Sequence, residues 1–446
     1  MSADVTLRIR MPHKAGTLAK ISAEIGRAGA VIGDLDTVHT DSIYSIRDVT
    51  VETQGLDVDK LKASIEGAVP GTRVTVLPDR SVDFHVGGKL KLVPSRPVKT
   101  LADMRLAYTP GVATVCTKVA HDDAALRRYT SVGRNVLVLS DGSRVLGLGD
   151  LGPKGVIPVL EGKSIFYAEF VDLNGLSFGI DSRDVDRVVE MCRILRPNYS
   201  AIHLEDIAAP RCFELEARLQ DELHVPVLHD DRHGTAVVAA AAVLSALHVL
   251  GRRLEDTVVG QVGLGAAGYT ILELLIELGP KGAVAYDPGA EAVARAKPLG
   301  AKICPTVHDV MNEADLVVAA TGRAGLIKKE WVRPGQVVFA LTNPRPEIRP
   351  HDALAAGAAL ASEGAAINNV LAYPGLMRGA IDAGAVRFTP AMKIAAAKAL
   401  AVHANADDLL PSPFMPGLHL DVAKAVAAAV LPSERAAKAA VPVATA

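Results

Sequence analysis

The stretch from Val258 to Asp287 constrains the fold of this chain more than any other. An apolar run, Val258 to Val262, enters Gly263-Leu264-Gly265-Ala266-Ala267-Gly268; a helical pattern, Tyr269 to Leu278, follows, and then Ala283-Val284-Ala285-Tyr286-Asp287. Strand, glycines, helix, strand and terminal acid in that order describe one half of a doubly wound parallel sheet. The glycines let backbone N–H groups at a helix N-terminus approach a pyrophosphate. Asp287, about 20 residues on, would accept hydrogen bonds from an adenosine ribose and repel a 2′-phosphate. Pro288-Gly289 follow it rather than a basic residue. The expected ligand is therefore NAD rather than NADP, held by Gly263, Gly265, Ala266, Ala267, Gly268 and Asp287. A glycine-rich turn without a ligand is the bland alternative.

A second pattern lies upstream. The apolar runs Ala201 to Leu204 and Val225 to Leu228 end in adjacent acids, Glu205-Asp206 and Asp230-Asp231. Between them Phe213, Leu215, Leu219 and Leu223 recur at helical spacing. A strand, a helix and a strand place both acid pairs at one carboxyl edge of a parallel sheet, where open α/β folds bind ligands. Four carboxylates there repel one another unless a cation or a base neutralises them. A hard divalent ion, Mg²⁺ or Mn²⁺, held by three of the four answers that need. Helix capping and surface pairing would explain any single pair, but explain two strand-end pairs less well.

Composition narrows the class. At about 150 residues per domain, 446 residues suggest about three domains. The apolar bulk is Ala, Val, Leu and Ile, which suits helices on buried parallel strands. A formal charge of −2 gives no electrostatic case for nucleic acid or an anionic membrane. Cys116, Cys192, Cys212 and Cys304 are far apart with no CxxC, which argues for a reducing, cytoplasmic setting and against a disulfide framework or a zinc site. Met1 to Arg10 lacks a signal-peptide core. The apolar run Ala236 to Leu250, interrupted by Ser245 and His248, reads as a buried helix rather than a membrane span.

The remaining segments are taken in order. Val5–Arg10 is a strand, Thr17–Ala28 a helix, Val31–Thr37 and Ser42–Thr53 strands, Val58–Ala68 a helix and Thr72–Leu77 a strand. That βαββαβ order is ferredoxin-like, and the segment resembles an ACT domain, a regulatory unit that binds an amino acid. The turn Lys14-Ala15-Gly16-Thr17-Leu18 is where such domains approach a ligand; a purely structural or dimerising module is the other reading. Pro78 to Lys99 reads as a linker or arm. Arg144 to Gly152 is expected to be a strand opening into a glycine-rich loop, Ile165 to Val171 a buried strand, and Ser182 to Leu195 an amphipathic helix. Lys163, just ahead of the apolar run, reads as a solvated flank that becomes catalytic only if burial and neighbours depress its pKa toward neutrality. The tail from Ser433 reads as frayed.

Tyr108-Thr109-Pro110-Gly111-Val112-Ala113, Gly147-Leu148-Gly149-Asp150-Leu151-Gly152, Glu161-Gly162-Lys163, Leu204-Glu205-Asp206, His229-Asp230-Asp231 with Gly234-Thr235-Ala236, and Thr342-Asn343-Pro344 occur in this order. In combination they resemble the malic enzyme family in its shorter bacterial form, from about Thr100 to the C-terminus. The resemblance implies that Glu205, Asp206 and Asp231 bind the metal. It makes Lys163 the base that takes the C2 hydroxyl proton, with Asp230 holding it, and Tyr108 the acid that protonates C3. Arg144 grips a malate carboxylate, while Asn343 and Asn369 complete the substrate and nicotinamide pocket. Arg232 stands where the family commonly has glutamine.

The expectation is an α/β chain of three domains. An ACT-like regulatory module (1–78) and a linker (79–99) precede a substrate and metal domain (100–234) and a Rossmann-type NAD domain with C-terminal helices (235–446). The implied reaction is oxidative decarboxylation of L-malate to pyruvate and CO₂ with NAD⁺, by a homodimer or higher homo-oligomer with an amino-acid effector at the ACT-like module. Two rivals stand beside it: a metal-independent amino-acid dehydrogenase, and a catalytically silent amino-acid sensor.

Overall fold

Strict alternation builds the first sheet. Leu7, Ile9 and Met11 on one strand and Val49 and Val51 on another are buried, and the residues between them are not. The computed structural model describes residues 4–53, 56–78, 80–145, 148–343, 345–364, 367–403 and 408–435. Of the motifs above, Gly147, Pro344 and the tail beyond Arg435 lie outside the described residues. The chain divides into two units, Met1–Lys89 and Leu90–Ala446.

In the first unit β1 (Asp4–Pro12), β2 (Val31–Thr40), β3 (Tyr44–Glu52) and β4 (Arg73–Val76) form an antiparallel sheet in the order β2-β3-β1-β4. The helices Thr17–Arg27 and Val58–Ala68 supply Ile21, Ile25, Leu61 and Ile65 to the core of that sheet. The six elements therefore run in the βαββαβ order read from the sequence. Gly16, at φ 82°, turns the chain into the first helix; a side chain there would be strained although nothing crowds it. Within the expected linker a short helix, Arg80–His85, forms.

The second unit carries two parallel sheets. β5 (Asn135–Ser140), β6 (Asn174–Gly179), β7 (Ala201–Leu204) and β8 (Val227–His229) lie in the order β6-β5-β7-β8. β9 (Val258–Val262), β10 (Gly282–Tyr286), β11 (Lys302–Ile303), β12 (Leu316–Ala319), β13 (Val337–Ala340) and β14 (Leu360–Glu363) lie in the order β11-β10-β9-β12-β13-β14. Renumbered from β9 this is 3-2-1-4-5-6, the doubly wound order whose crevice opens where the order reverses, beside β9. The helix Thr235–Val249 joins the sheets, and its alanines and valines share one core with Val136 and Val138 of β5 and with Val318 and Phe339 of β12 and β13. Asp230–Val249 is long and apolar enough to cross a membrane by composition, yet most of it is buried in this core.

Three sequence expectations need correction. Ile165–Val171 is the end of a helix, Ile157–Val171, not a strand. Its buried residues, Leu160, Ser164, Tyr167 and Val171, recur every three to four positions. Arg144–Gly152 holds no strand among its described residues; Gly149 and Gly152 have φ of 85° and 70°, and Val145 N–H donates to the Gly149 carbonyl at 2.8 Å, closing a tight loop. The strand paired with β5 is instead Asn174–Gly179, whose ends in Asn and Gly hide it in the sequence. The helix expected over Ser182–Leu195 starts at Val185, because the Asp184 carboxylate caps it by accepting from the N–H groups of Asp186 and Arg187.

Candidate active site

Register brings the two acid pairs together. β7 and β8 are parallel, with Leu204 opposite His229, so Glu205-Asp206 and Asp230-Asp231 leave the same edge. Asp206 then turns into the left-handed region at φ 50°, a conformation aspartate tolerates better than most residues. The turn points its N–H at Asp231 Oδ2 (3.0 Å), and its carbonyl accepts from the N–H of Arg144 (3.1 Å). One carboxylate oxygen each from Glu205, Asp206 and Asp231 lie within 4.8 Å of one another. Octahedral oxygens around Mg²⁺ sit about 3 to 4 Å apart, so three hard donors at this spacing suit Mg²⁺ or Mn²⁺. Glu205 and Asp206 are buried, while the Asp231 side chain is 37% exposed and leaves an open side. His203, Glu205 and Asp230 cluster as closely, but the Lys163 ammonium already stands among them and would repel a cation.

Lys163 comes from the middle of the helix Ile157–Val171. Its Nζ lies 2.5 Å from Asp230 Oδ2, 3.2 Å from Glu205 Oε1 and 3.4 Å from Asn369 Oδ1, above the Tyr373 ring at 4.9 Å. Burial alone would lower its pKa, but Asp230 and Glu205 overcome that and hold it well above 10.5. Burial likewise raises Glu205 to about 7 and Asp230 to about 6, with Lys163 opposing both shifts. The solvated-flank reading of Lys163 therefore fails: its side chain is 12% exposed and doubly paired.

The glycine loop after β9 has the shape of a dinucleotide cradle. A Cβ on Gly263 would stand 2.5 Å from the Ala320 carbonyl oxygen, and one on Gly268 would stand 2.0 Å from that of Gly263. A Cβ on Gly265 meets nothing within 4 Å and would project into the open space before the helix Ala266–Glu277. No side chain caps that helix, so its first N–H groups, those of Ala266, Ala267 and Gly268 among them, are free to meet an anion. Asp287 accepts from Leu264 N–H and Gly289 N–H, each at 2.7 Å, and so fixes the glycine loop against the end of β10.

The family model "Malic enzyme, N-terminal domain" matches residues 87–183. The NAD-dependent malic enzyme 1 of Bacillus subtilis is 37% identical over 96% of this chain and 97% of its own length. The NAD-dependent malic enzyme of Geobacillus stearothermophilus is 35% identical over 93% and 91%. Among solved structures, that of a Thermotoga maritima NAD-dependent malic enzyme is 33% identical with a TM-score of 0.72, covering 79% of this chain and 99% of that one. This chain belongs to the malic enzyme family.

Not every expected residue of this malic enzyme joins the cluster. Lys163, Glu205, Asp206, Asp230, Asp231 and Asn369 do. Arg144 is tied to Asp206 through its backbone, and its side chain is exposed. Asn343 is exposed on the loop after β13. Tyr108 is 70% exposed between the helices Leu101–Ala107 and Val112–Val119, neither of which buries a residue. No described hydrogen bond or ring contact joins its side chain to Lys163.

Sequence reasoning also missed residues. His203, buried in β7, places Nε2 2.8 Å from Glu205 Oε2 and Nδ1 2.8 Å from the Tyr167 hydroxyl. Burial lowers its pKa to about 4, so it stays neutral and leaves Glu205 Oε1 to Lys163. Glu347, fully buried, accepts from the N–H and hydroxyl of both Thr321 and Thr342, tying together the loops that follow β12 and β13. A histidine inside an apolar strand was the available signal for the first; nothing in the local sequence distinguished Glu347.

Proposed function

We propose that this chain oxidises L-malate with NAD⁺ and releases CO₂ and pyruvate, with Glu205, Asp206 and Asp231 holding a divalent ion. The observation that carries the reading is Lys163 buried between Asp230 and Glu205, beside the three-carboxylate cluster. When bound, the ion supplies Lewis-acid stabilisation of negative charge on the substrate's C2 oxygen, and NAD⁺ supplies the hydride acceptor.

Every other step belongs to side chains of the chain. Lys163 Nζ, once its own proton has passed to Asp230, takes the C2 hydroxyl proton. Asp230, at 2.5 Å, orients it and shares the proton. Glu205 faces both the lysine and the ion site, so neutralising its charge removes one of the two attractions that hold Lys163 protonated. Asn369 aligns the lysine and Arg144 takes a substrate carboxylate. Asn343 lines the nicotinamide side, and Tyr108 protonates C3. Gly263, Gly265, Ala266, Ala267, Gly268 and Asp287 hold NAD rather than NADP.

The domain division 1–78, 100–234 and 235–446 goes with this reading, as does a cytoplasmic setting. The first segment acts as an ACT-like module that binds an amino acid at the Lys14–Leu18 turn; its βαββαβ order and the uncrowded Gly16 support that role. Exposed Leu92, Leu101 and Leu106 support a homodimer or higher oligomer.

Purified protein with malate, NAD⁺ and Mn²⁺ is expected to form NADH and pyruvate together, and to stop when a chelator removes the metal. Metal-independent oxidation of an amino acid, with malate inert, would replace this reading with the dehydrogenase.

A further inference from the structure

One acid does not fit its helix. Arg211–Leu223 buries Cys212, Leu215, Leu219 and Leu223, and Glu216 lies among them with only 5% of its surface exposed. A buried carboxylate costs several kcal/mol unless it is fully paired. Glu216 finds its partners in one short segment. Its Oε1 accepts from the backbone N–H of His229 at 3.0 Å and from His233 Nε2 at 2.9 Å, and its Oε2 pairs with the Arg232 guanidinium.

Those three donors bracket Asp230 and Asp231. The segment Asp230–Gly234 is a π-type turn, wider than an α-turn and of a rare kind that often occurs at functional sites. Glu216 holds that turn at three points, the His229 N–H, Arg232 and His233. The turn then sends Asp230 to Lys163 and Asp231 to the Asp206 N–H. Asp230 also packs against Gly234, where an added Cβ would overlap its Oδ1 at 1.8 Å. Arg232 is gripped as well, with its guanidinium 4.2 Å from the Phe213 ring centroid and Nε 3.3 Å from Thr270 Oγ1.

We propose that Glu216 is a positioning residue for the metal site, shaping the 229–233 turn so that Asp231 reaches the ion while Asp230 reaches Lys163. It touches neither the ion nor the substrate. The inference rests on the reading of Glu205, Asp206 and Asp231 as metal ligands.

The test measures Mn²⁺ binding to the full chain by the loss of the free-ion electron paramagnetic resonance signal, with NAD⁺ affinity measured in parallel. Wild type, Glu216→Gln, Glu216→Asp and Asp231→Asn are compared. Glu216→Gln keeps the shape and loses the charge; it is expected to weaken Mn²⁺ about 10- to 100-fold, with one site per chain retained and NAD⁺ affinity within about twofold. Glu216→Asp keeps the charge but draws it back by one methylene, and is expected to weaken Mn²⁺ in the same direction. It decides the matter if the glutamine variant does not fold. Wild-type Mn²⁺ affinity in the Glu216 variants, with Asp231→Asn unable to bind, would overturn the proposal and leave the metal site standing. Fewer sites at unchanged affinity would also overturn it, because that marks a folding role. Wild-type binding by Asp231→Asn would remove the metal-site reading and this proposal with it.

Discussion

Lys163 and Tyr108 are assigned to the two ends of one reaction, yet they are held in opposite ways. Lys163 is fixed by its surroundings: a core helix beneath it, two carboxylates and an asparagine around its ammonium, and an aromatic ring below. Tyr108 is held only by its own segment. The helix before it starts on a capping box between Thr100 and Asp103 and buries no residue, and the helix after it buries none either. A group placed by packing has its geometry before any ligand arrives. A group on a contact-poor segment takes its working position at little cost in stability and is free to move. Under the proposed roles, proton abstraction is prearranged, whereas proton return depends on where Tyr108 is carried.

The sharpest break in that contrast is Lys163→Ala. Removing the base is expected to cut malate-dependent NADH formation by about 10²- to 10⁴-fold while NAD⁺ binding, measured by titration calorimetry, stays at the wild-type value. Equal loss of both would make the lysine a structural residue. It would also leave Asp230 and Glu205 without their shared cation, so some loss of stability is expected alongside. Tyr108→Phe sharpens the other side. At 70% exposure its hydroxyl contributes little to folding, so the melting temperature should be unchanged while turnover falls about 10²-fold. Unchanged turnover would show that Tyr108 carries no proton.

The same difference between packed and open positions recurs in the dinucleotide cradle. Gly265 is open and adopts φ −66°, which alanine accepts. Gly265→Ala should therefore leave the fold intact and weaken NAD⁺ by about tenfold or more, because the methyl would occupy the space needed by the pyrophosphate. Gly268→Ala should weaken NAD⁺ and lower the melting temperature as well, since its Cβ would strike the Gly263 carbonyl. Equal behaviour of the two variants would mean that the cradle does not face the ligand at Gly265.

What the sequence made legible follows the same physical line. Segments with one dominant period were read correctly: the alternation of β1, the run of the helix Val58–Ala68, and the pattern from Val258 to Asp287. Ile165–Val171 was misread because a short, continuously apolar run has no period to separate strand from helix. Glu205, Asp206, Asp230 and Asp231 were legible because two strand ends repeat one chemistry. His203, Glu216 and Glu347 were not. Glu216 meets the segment His229–His233, Glu347 meets Thr321, and His203 links Glu205 to Tyr167 of a separate helix; only the folded chain brings those partners near.

The smallest expected effect concerns stability, and its sign comes from burial. Glu205 and Asp230 hold protons up to about pH 7 and about pH 6 in the folded chain, well above the values of exposed carboxyls. Between about pH 4 and pH 7 these two carboxyls hold protons in the folded chain that they release in the unfolded one, so their contribution to stability falls as pH rises. Buried His203, lowered to about 4, and His229 and His233, also lowered by burial, slope the other way below about pH 6.5. Lys163, held above its ordinary value, contributes equally across that window and does not reverse the trend. For protein freed of metal, wild type should lose a few degrees of melting temperature relative to Glu205→Gln on going from pH 5.5 to pH 8. Saturating Mn²⁺ should remove most of that difference, because an ion on Glu205 takes the place of the proton. In Tyr108→Phe the pH trend should be the same as in wild type, and in Glu205→Gln it should shift toward greater stability at high pH. A trend unaffected by Glu205→Gln would place its source outside the cluster.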